Sequence, residues 1–200
     1  MVNYPSHIRN AELPVKADQC ILAFTIPLSQ REFFDHVKKP EKDFARNCCS
    51  SWSKYRKEVV EVLSELEPGY KRLGVQIIHR LKANDLNSCF TQKCRYMILI
   101  AHWYCNEVEF YDQMLSCTEF ASVIPEDYDG IIDLCVCTPE PLAQIIKDSR
   151  PDCTIRYSHT RASLSFWLQF YNVFFHTIHK DELSPNEAFE KVTKEFLNQL

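Results

Sequence analysis

Apolar residues in this chain fall in short continuous runs separated by amphipathic stretches. Residues 20–26 (Cys-Ile-Leu-Ala-Phe-Thr-Ile) form a nearly unbroken, partly β-branched run closed by Pro27. This predicts a strand buried on both faces, as in a parallel sheet. Comparable runs predict strands over residues 75–81, 95–101, 131–136 and 153–157. Residues 107–115 alternate apolar Val108 and Phe110 with polar neighbours, predicting a small exposed hairpin strand.

Helices are predicted between these runs. Ser29 caps a short one through Val37. From Trp52 the apolar positions are Trp52, Tyr55, Val59, Leu63 and Leu66, an amphipathic stripe expected to end at Pro68-Gly69. Residues 84–93 read as a short helix. Ser116-Cys-Thr-Glu119 and Ser184-Pro-Asn-Glu187 are capping boxes, the second opening a final helix with Phe189, Val192 and Phe196 facing inward. Thr138-Pro139 sets a cap residue before a proline at the first helical position of a helix through Ile146. Residues 163–179 are apolar nearly all round, the pattern of a deeply buried helix.

Strand and helix thus alternate about five times, with connections long enough for crossovers. The fold class predicted is α/β, with a mostly parallel central sheet and helices on both faces. Residues 1–19 carry two prolines and little pattern and read as an N-terminal arm, and residues 20–200 as one domain.

Composition removes several function classes. The three glycines, Gly69, Gly74 and Gly130, are too few and too scattered for a phosphate-cradling or dinucleotide-binding loop. Net charge is -4, and the longest basic block is Lys38-Lys39, so the electrostatic footprint of a nucleic-acid binder is missing. The longest apolar run, residues 96–101, is far too short to cross a bilayer. The first residues, Met-Val-Asn-Tyr-Pro-Ser-His, hold no apolar segment of the secretory kind. A cytoplasmic protein is expected, with no membrane or direct nucleic-acid partner and no cofactor. Most of the ten cysteines then read as small buried hydrophobes in a reducing compartment.

In an open α/β sheet the functional groups collect at the carboxyl ends of the strands. His102 ends the third predicted strand and Cys137 the fourth, each after about six strand residues, so both emerge at one sheet edge. A thiol beside an imidazole is what nucleophilic catalysis requires. A helix N-terminus just after Cys137 would favour its thiolate. A His and a Cys buried for packing alone is the competing reading of the same spacing. Ser51-Trp-Ser-Lys54 fits a Ser-x-x-Lys pattern but opens an amphipathic helix without companion motifs. His36, His79, His159, His176 and His179 read as structural or solvated, with only His159 near a strand end.

The order strand–His, hairpin, helix, strand–Cys, helix resembles the caspase-like cysteine peptidases, and most closely their CHAT branch. Met97-Ile-Leu-Ile-Ala-His102 is similar to the strand ending in that family's catalytic His. Ile131-Ile-Asp-Leu-Cys-Val-Cys137 is similar to the strand ending in its nucleophile. Thr160-Arg-Ala-Ser, Phe166-Trp-Leu-Gln-Phe-Tyr171 and Ser184-Pro-Asn-Glu-Ala188 look like the branch's later turn and helices. The likeness spans residues 20–200 and implies a three-layer caspase-like fold and a His102–Cys137 dyad for cleaving a partner protein. It also implies a bacterial defence or regulated-proteolysis role, activated by another polypeptide or a larger assembly.

Two positions depart from the family pattern: Trp103 stands where Gly usually follows the His, and Thr138-Pro139 replaces a small Gly-containing pair. Metacaspases and paracaspases carry Asp two residues before their Cys, and Asp133-Leu-Cys135 reproduces that spacing. Cys135 is therefore a second candidate nucleophile, although fewer strand residues precede it. On this reading Asp133, if it reached the cleft, would favour a basic residue at the cleavage site, while Arg156 and Arg161 would favour an acidic one. Two readings from other classes stand beside the enzyme. His102, Cys105, Cys135 and Cys137 supply a possible zinc set. An inactive relative would use the same cleft to bind partners.

Overall fold

The computed structural model describes residues 15–37, 51–90, 93–104, 106–137, 139–158 and 162–197. Residues 1–14 of the arm, Cys105, Thr138, His159 and Arg161 lie outside the described residues, as does the His36 side chain. The central sheet has five strands: β1 (Cys20–Phe24), β2 (Gln76–Ile78), β3 (Tyr96–Ile100), β7 (Ile131–Cys135) and β8 (Thr154–Tyr157). Their order is β2-β1-β3-β7-β8, and every pairing is parallel. A separate three-stranded antiparallel sheet joins β4 (His102–Tyr104), β5 (Glu107–Glu109) and β6 (Met114–Ser116).

Strand parity divides the interior in two, because successive side chains point to opposite faces of a sheet. Leu22, Phe24, Ile98, Ile100, Ile131 and Cys135 face one core. Ile21, Ala23, Met97, Leu99, Ile132 and Leu134 face the other. The first core is covered by α1 (Gln30–Val37), α2 (residues 52–73), α5 (Leu164–Asp181) and α6 (Pro185–Leu197). The second is covered by a 3₁₀ segment (Ala83–Cys89), the small sheet, α3 (Cys117–Val123) and α4 (Glu140–Ser149). The predicted α/β class with a mostly parallel sheet and helices on both faces is what the chain forms.

Several element boundaries differ from expectation. Helix α2 does not stop at Pro68-Gly69 but runs to Leu73, where Gly74 closes it in the left-handed region at φ 93°. Pro68 sits on the exposed side, and the turn beyond it buries Tyr70, whose hydroxyl donates to the Leu168 carbonyl at 2.6 Å. That burial and hydrogen bond offset the roughly 3 kcal/mol a helix-interior proline costs. Strand β2 is three residues long, since Arg80 turns to φ 55°. Residues 83–89 wind as a 3₁₀ helix rather than an α-helix. The alternating segment 107–115 is not an exposed strand: Val108, Phe110 and Leu115 are buried, with the Phe110 ring 6.0 Å from Phe120. The predicted caps are present at Ser29, Ser116 and Ser184, each with a glutamate three residues on accepting from the cap backbone. Ser51, of the Ser-x-x-Lys pattern, caps α2 by accepting from the Lys54 N–H.

Among the described residues no helix is long and apolar enough to cross a membrane.

Candidate active site

The register of β3 against β7 decides what meets at the sheet edge. Tyr96 lies opposite Ile131 and Ile100 opposite Cys135. His102 and Cys137 each lie two residues beyond that last pair. Both continue the parity of the α2/α5 face, and both line one cavity of about 260 Å³. Its other walls come from α2 (Tyr55, Glu58, Val59), the N-terminal turn of α5 (Ser163 to Ser165) and Trp167.

His102 opens β4, where the chain leaves the central sheet for the small antiparallel one, and it pairs across to Glu109. Trp103 follows it half-buried, packed against the second core while still bordering the cavity. The bulky residue in the glycine position is thus held in part by packing against that core.

Of the seven described cysteines, six are buried and Cys137 alone is partly exposed. Burial pushes the Cys89, Cys94 and Cys153 thiols up to about 12, and Cys20 well above its ordinary value. These are packing thiols, as composition indicated.

Cys135 faces the same cavity but is chemically occupied. Its Sγ lies 3.4 Å from the Tyr171 hydroxyl, and that hydroxyl donates to Asp133 Oδ2 at 2.6 Å. The phenol proton is committed to the carboxylate, so the phenol oxygen accepts from Cys135 and keeps it an S–H. Burial, and next the Asp133 charge, raise its pKa well above the ordinary thiol value. A thiol held as a donor is a poor nucleophile.

Asp133 is buried at the centre of this network. Arg156 donates to it from Nε at 2.7 Å and from a terminal nitrogen at 3.1 Å, and the Tyr96 hydroxyl donates as well. Arg156 also donates to the Pro185 carbonyl at 3.1 Å and stacks 4.4 Å from the Phe189 ring. Burial pushes the Asp133 carboxyl up, the Tyr171 hydroxyl acts against this, and the guanidinium pairs the charged form. The expectation that Asp133 or Arg156 might select substrate is therefore corrected. Each is spent on the other in the core, side chains 3% and 4% exposed; Arg161 lies outside the described residues.

The helix after Cys137 also differs from the prediction. Pro139 occupies the N-cap position and α4 begins at Glu140, with Pro141 in its first turn. Two prolines fit there because first-turn N–H groups have no partner within the helix. They also remove two donors, and the helix starts three residues past Cys137, so dipole support for its thiolate is weaker than the sequence implied.

For a metal, the described residues bring together no group of three or more His, Cys, Asp or Glu side chains. Cys105, one member of the zinc set, lies outside the described residues, and Cys135 is engaged by Tyr171. His79 is structural: its Nε2 pairs with Glu67 at 3.0 Å and its ring stacks on Phe24. His176 and His179 are exposed on α5.

Tyr55, Glu58, Trp167 and Tyr171 belong to the site without having been singled out in the sequence. Tyr171 stood in a helix apolar all round, where its hydroxyl was the only hint of a buried partner. Glu58 lies in the segment Arg56–Glu61, wound as a π-helix, a local form that recurs at functional sites and leaves no plain sequence mark.

Neither a protein-family model nor a curated protein matches this chain.

Proposed function

We propose that this chain is a caspase-like cysteine endopeptidase in which His102 and Cys137 form the catalytic dyad. The observation that carries the reading is the pairing of β3 with β7. Two residues beyond the last paired positions, an imidazole and the one partly exposed described thiol line one cavity past the carboxyl ends of these strands. In this reaction the Cys137 thiolate attacks the scissile carbonyl carbon, forming a C–S bond and a tetrahedral oxyanion. Backbone N–H groups at residues 103 and 137 are the donors assigned to that oxyanion. His102 gives its proton to the leaving amine as the C–N bond breaks, leaving a thioester. It then takes a proton from water, whose oxygen displaces the thiol and regenerates the dyad. The substrate is a partner protein and the trigger another polypeptide, in keeping with the CHAT-like sequence features.

The test compares wild type with Cys137→Ala and His102→Ala in the native host, reading new protein N-termini by mass spectrometry under conditions that trigger the system. A discrete cleavage present with wild type and lost in both variants is expected. Identical N-termini in all three proteins would overturn the enzyme reading. A folded wild-type protein that captures a partner without cutting it would support the inactive binding module, and stoichiometric zinc removed only by a chelator would support the metal site.

A further inference from the structure

Two tryptophans reach the cavity from opposite sides of the central sheet. Trp103, on β4, packs against the second core and pairs across to buried Val108. Trp167, on α5, packs against the first core. Both are part-buried, and both border the cavity that His102 and Cys137 line. Trp167 is held in place by other rings. Its centroid lies 5.3 Å from Phe166, 6.1 Å from Phe170 and 6.1 Å from Tyr171, with the last pair stacked at 26°. Val59, Val136 and Leu164 add aliphatic residues to the same walls. We infer that the cavity binds a peptide through an aromatic side chain, with Trp103 and Trp167 as the specificity-determining residues. This rests on the proposed peptidase reading for its biological meaning.

Size and chemistry both fit such a guest. An apolar cavity of about 150 Å³ holds a benzene ring, so about 260 Å³ admits one ring together with the backbone that carries it. Aromatic pairs favour edge-to-face or offset contact at centroid distances of about 4.5–7 Å, and indoles fixed in two different layers give a guest ring two such partners. Polar side chains border the cavity as well, and these are served within the protein. The Ser163 hydroxyl accepts from the Phe166 N–H at 3.1 Å and lies 3.0 Å from the Ser165 hydroxyl. Glu58 is about half exposed, with Lys54 Nζ 3.8 Å from its Oε1, so its charge is met on the protein and by solvent whether or not a ligand is bound. The indoles, by contrast, gain from contact with a further ring.

The experiment does not depend on turnover. Cys137 is alkylated with iodoacetamide, N-benzyl iodoacetamide or N-(cyclohexylmethyl) iodoacetamide, neutral reagents that differ in the group on the amide nitrogen. The rate of adduct formation at Cys137 is read by mass spectrometry and divided by the rate of the same reagent on the urea-unfolded chain. The benzyl reagent is expected to exceed iodoacetamide by more than about threefold on this scale, and the cyclohexylmethyl reagent to gain less than half as much. Trp103→Leu and Trp167→Leu are each expected to lower the benzyl preference below about threefold. A smaller benzyl preference in wild type, a cyclohexylmethyl gain of half or more, or a benzyl preference that survives both substitutions would each overturn the inference. The comparison among reagents on wild type stands even if a variant fails to fold. Labelling proceeds whether or not Cys137 is catalytic, so failure of the peptidase reading shows in the N-terminus experiment and not here.

Discussion

Replacing Arg156 with Met tests whether the network under the site is as tightly coupled as its geometry implies. Asp133 and Arg156 are both almost wholly buried and joined by two hydrogen bonds, at 2.7 and 3.1 Å. Methionine keeps much of the apolar stem against Tyr96, Phe174 and Phe189 and removes only the charge and donors. Asp133 is then a buried carboxylate with two phenols for partners, and breaking a buried pair in this way costs about 3–5 kcal/mol. That is a large part of the 5–15 kcal/mol that holds most domains together. The sign of the pH dependence follows. Burial already raises the Asp133 carboxyl, and losing the guanidinium raises it further. The variant's folded state therefore holds a proton that its unfolded chain releases above about pH 4. A folded state that binds more protons loses stability as pH rises and regains it as pH falls toward the unfolded value. Urea unfolding of wild type and Arg156→Met should show a deficit of about 3–5 kcal/mol at pH 8 that narrows by pH 5. A further change, Asp133→Asn in the Arg156→Met background, should cost at least about 2 kcal/mol less than it does in wild type. A deficit under about 1 kcal/mol at pH 8, or one independent of pH, would refute the coupling.

Three more outcomes follow from particular contacts. Cys135, buried and donating to Tyr171, should resist alkylation at pH 8 in the native protein and label only in urea, while Cys137 labels natively; time-resolved adduct mapping checks this. Gly74→Ala forces a side chain into the left-handed region at φ 93° with its Cβ 3.2 Å from that of Asp18, and should cost about 1–2 kcal/mol in urea unfolding. Tyr70→Phe leaves the Leu168 carbonyl without the donor 2.6 Å away and should cost about 1–3 kcal/mol, read as a lower thermal midpoint with unchanged secondary structure by circular dichroism.

Strand identity and parity were legible because a strand buried on both faces leaves a continuous apolar run, and β1, β3 and β7 are such runs. The same logic put His102 and Cys137 at one edge, since each follows its run by the same number of residues. What lay across the sheet was not legible. The partner of Asp133 is Arg156, on the strand that pairs beside it, and the position opposite is fixed by a register that local pattern does not encode. Read alone, a carboxylate in an apolar run invites assignment to a site. Pro68 misled for a related reason: local propensity ends the helix there, while a tertiary contact from Tyr70 to α5 carries it on. The α4 start was displaced because Pro139 and Pro141 both suit a first turn, and Thr138-Pro139 alone does not say which one leads.

One strand face explains why two residues separate an inert thiol from the candidate nucleophile. Asp133, Cys135 and Cys137 follow one another at every second position, so their side chains climb a single face toward the sheet edge. At the bottom Asp133 is buried and closed in by Arg156, Tyr96 and Tyr171, which donate to both of its oxygens. One step up, Cys135 meets the other side of the Tyr171 oxygen and is held protonated by the direction in which that phenol donates. A further step brings Cys137 past the end of β7, partly exposed in the cavity that His102 also lines. The charge that a metacaspase-like spacing would have aimed at substrate is thus used to lock the position below the candidate nucleophile.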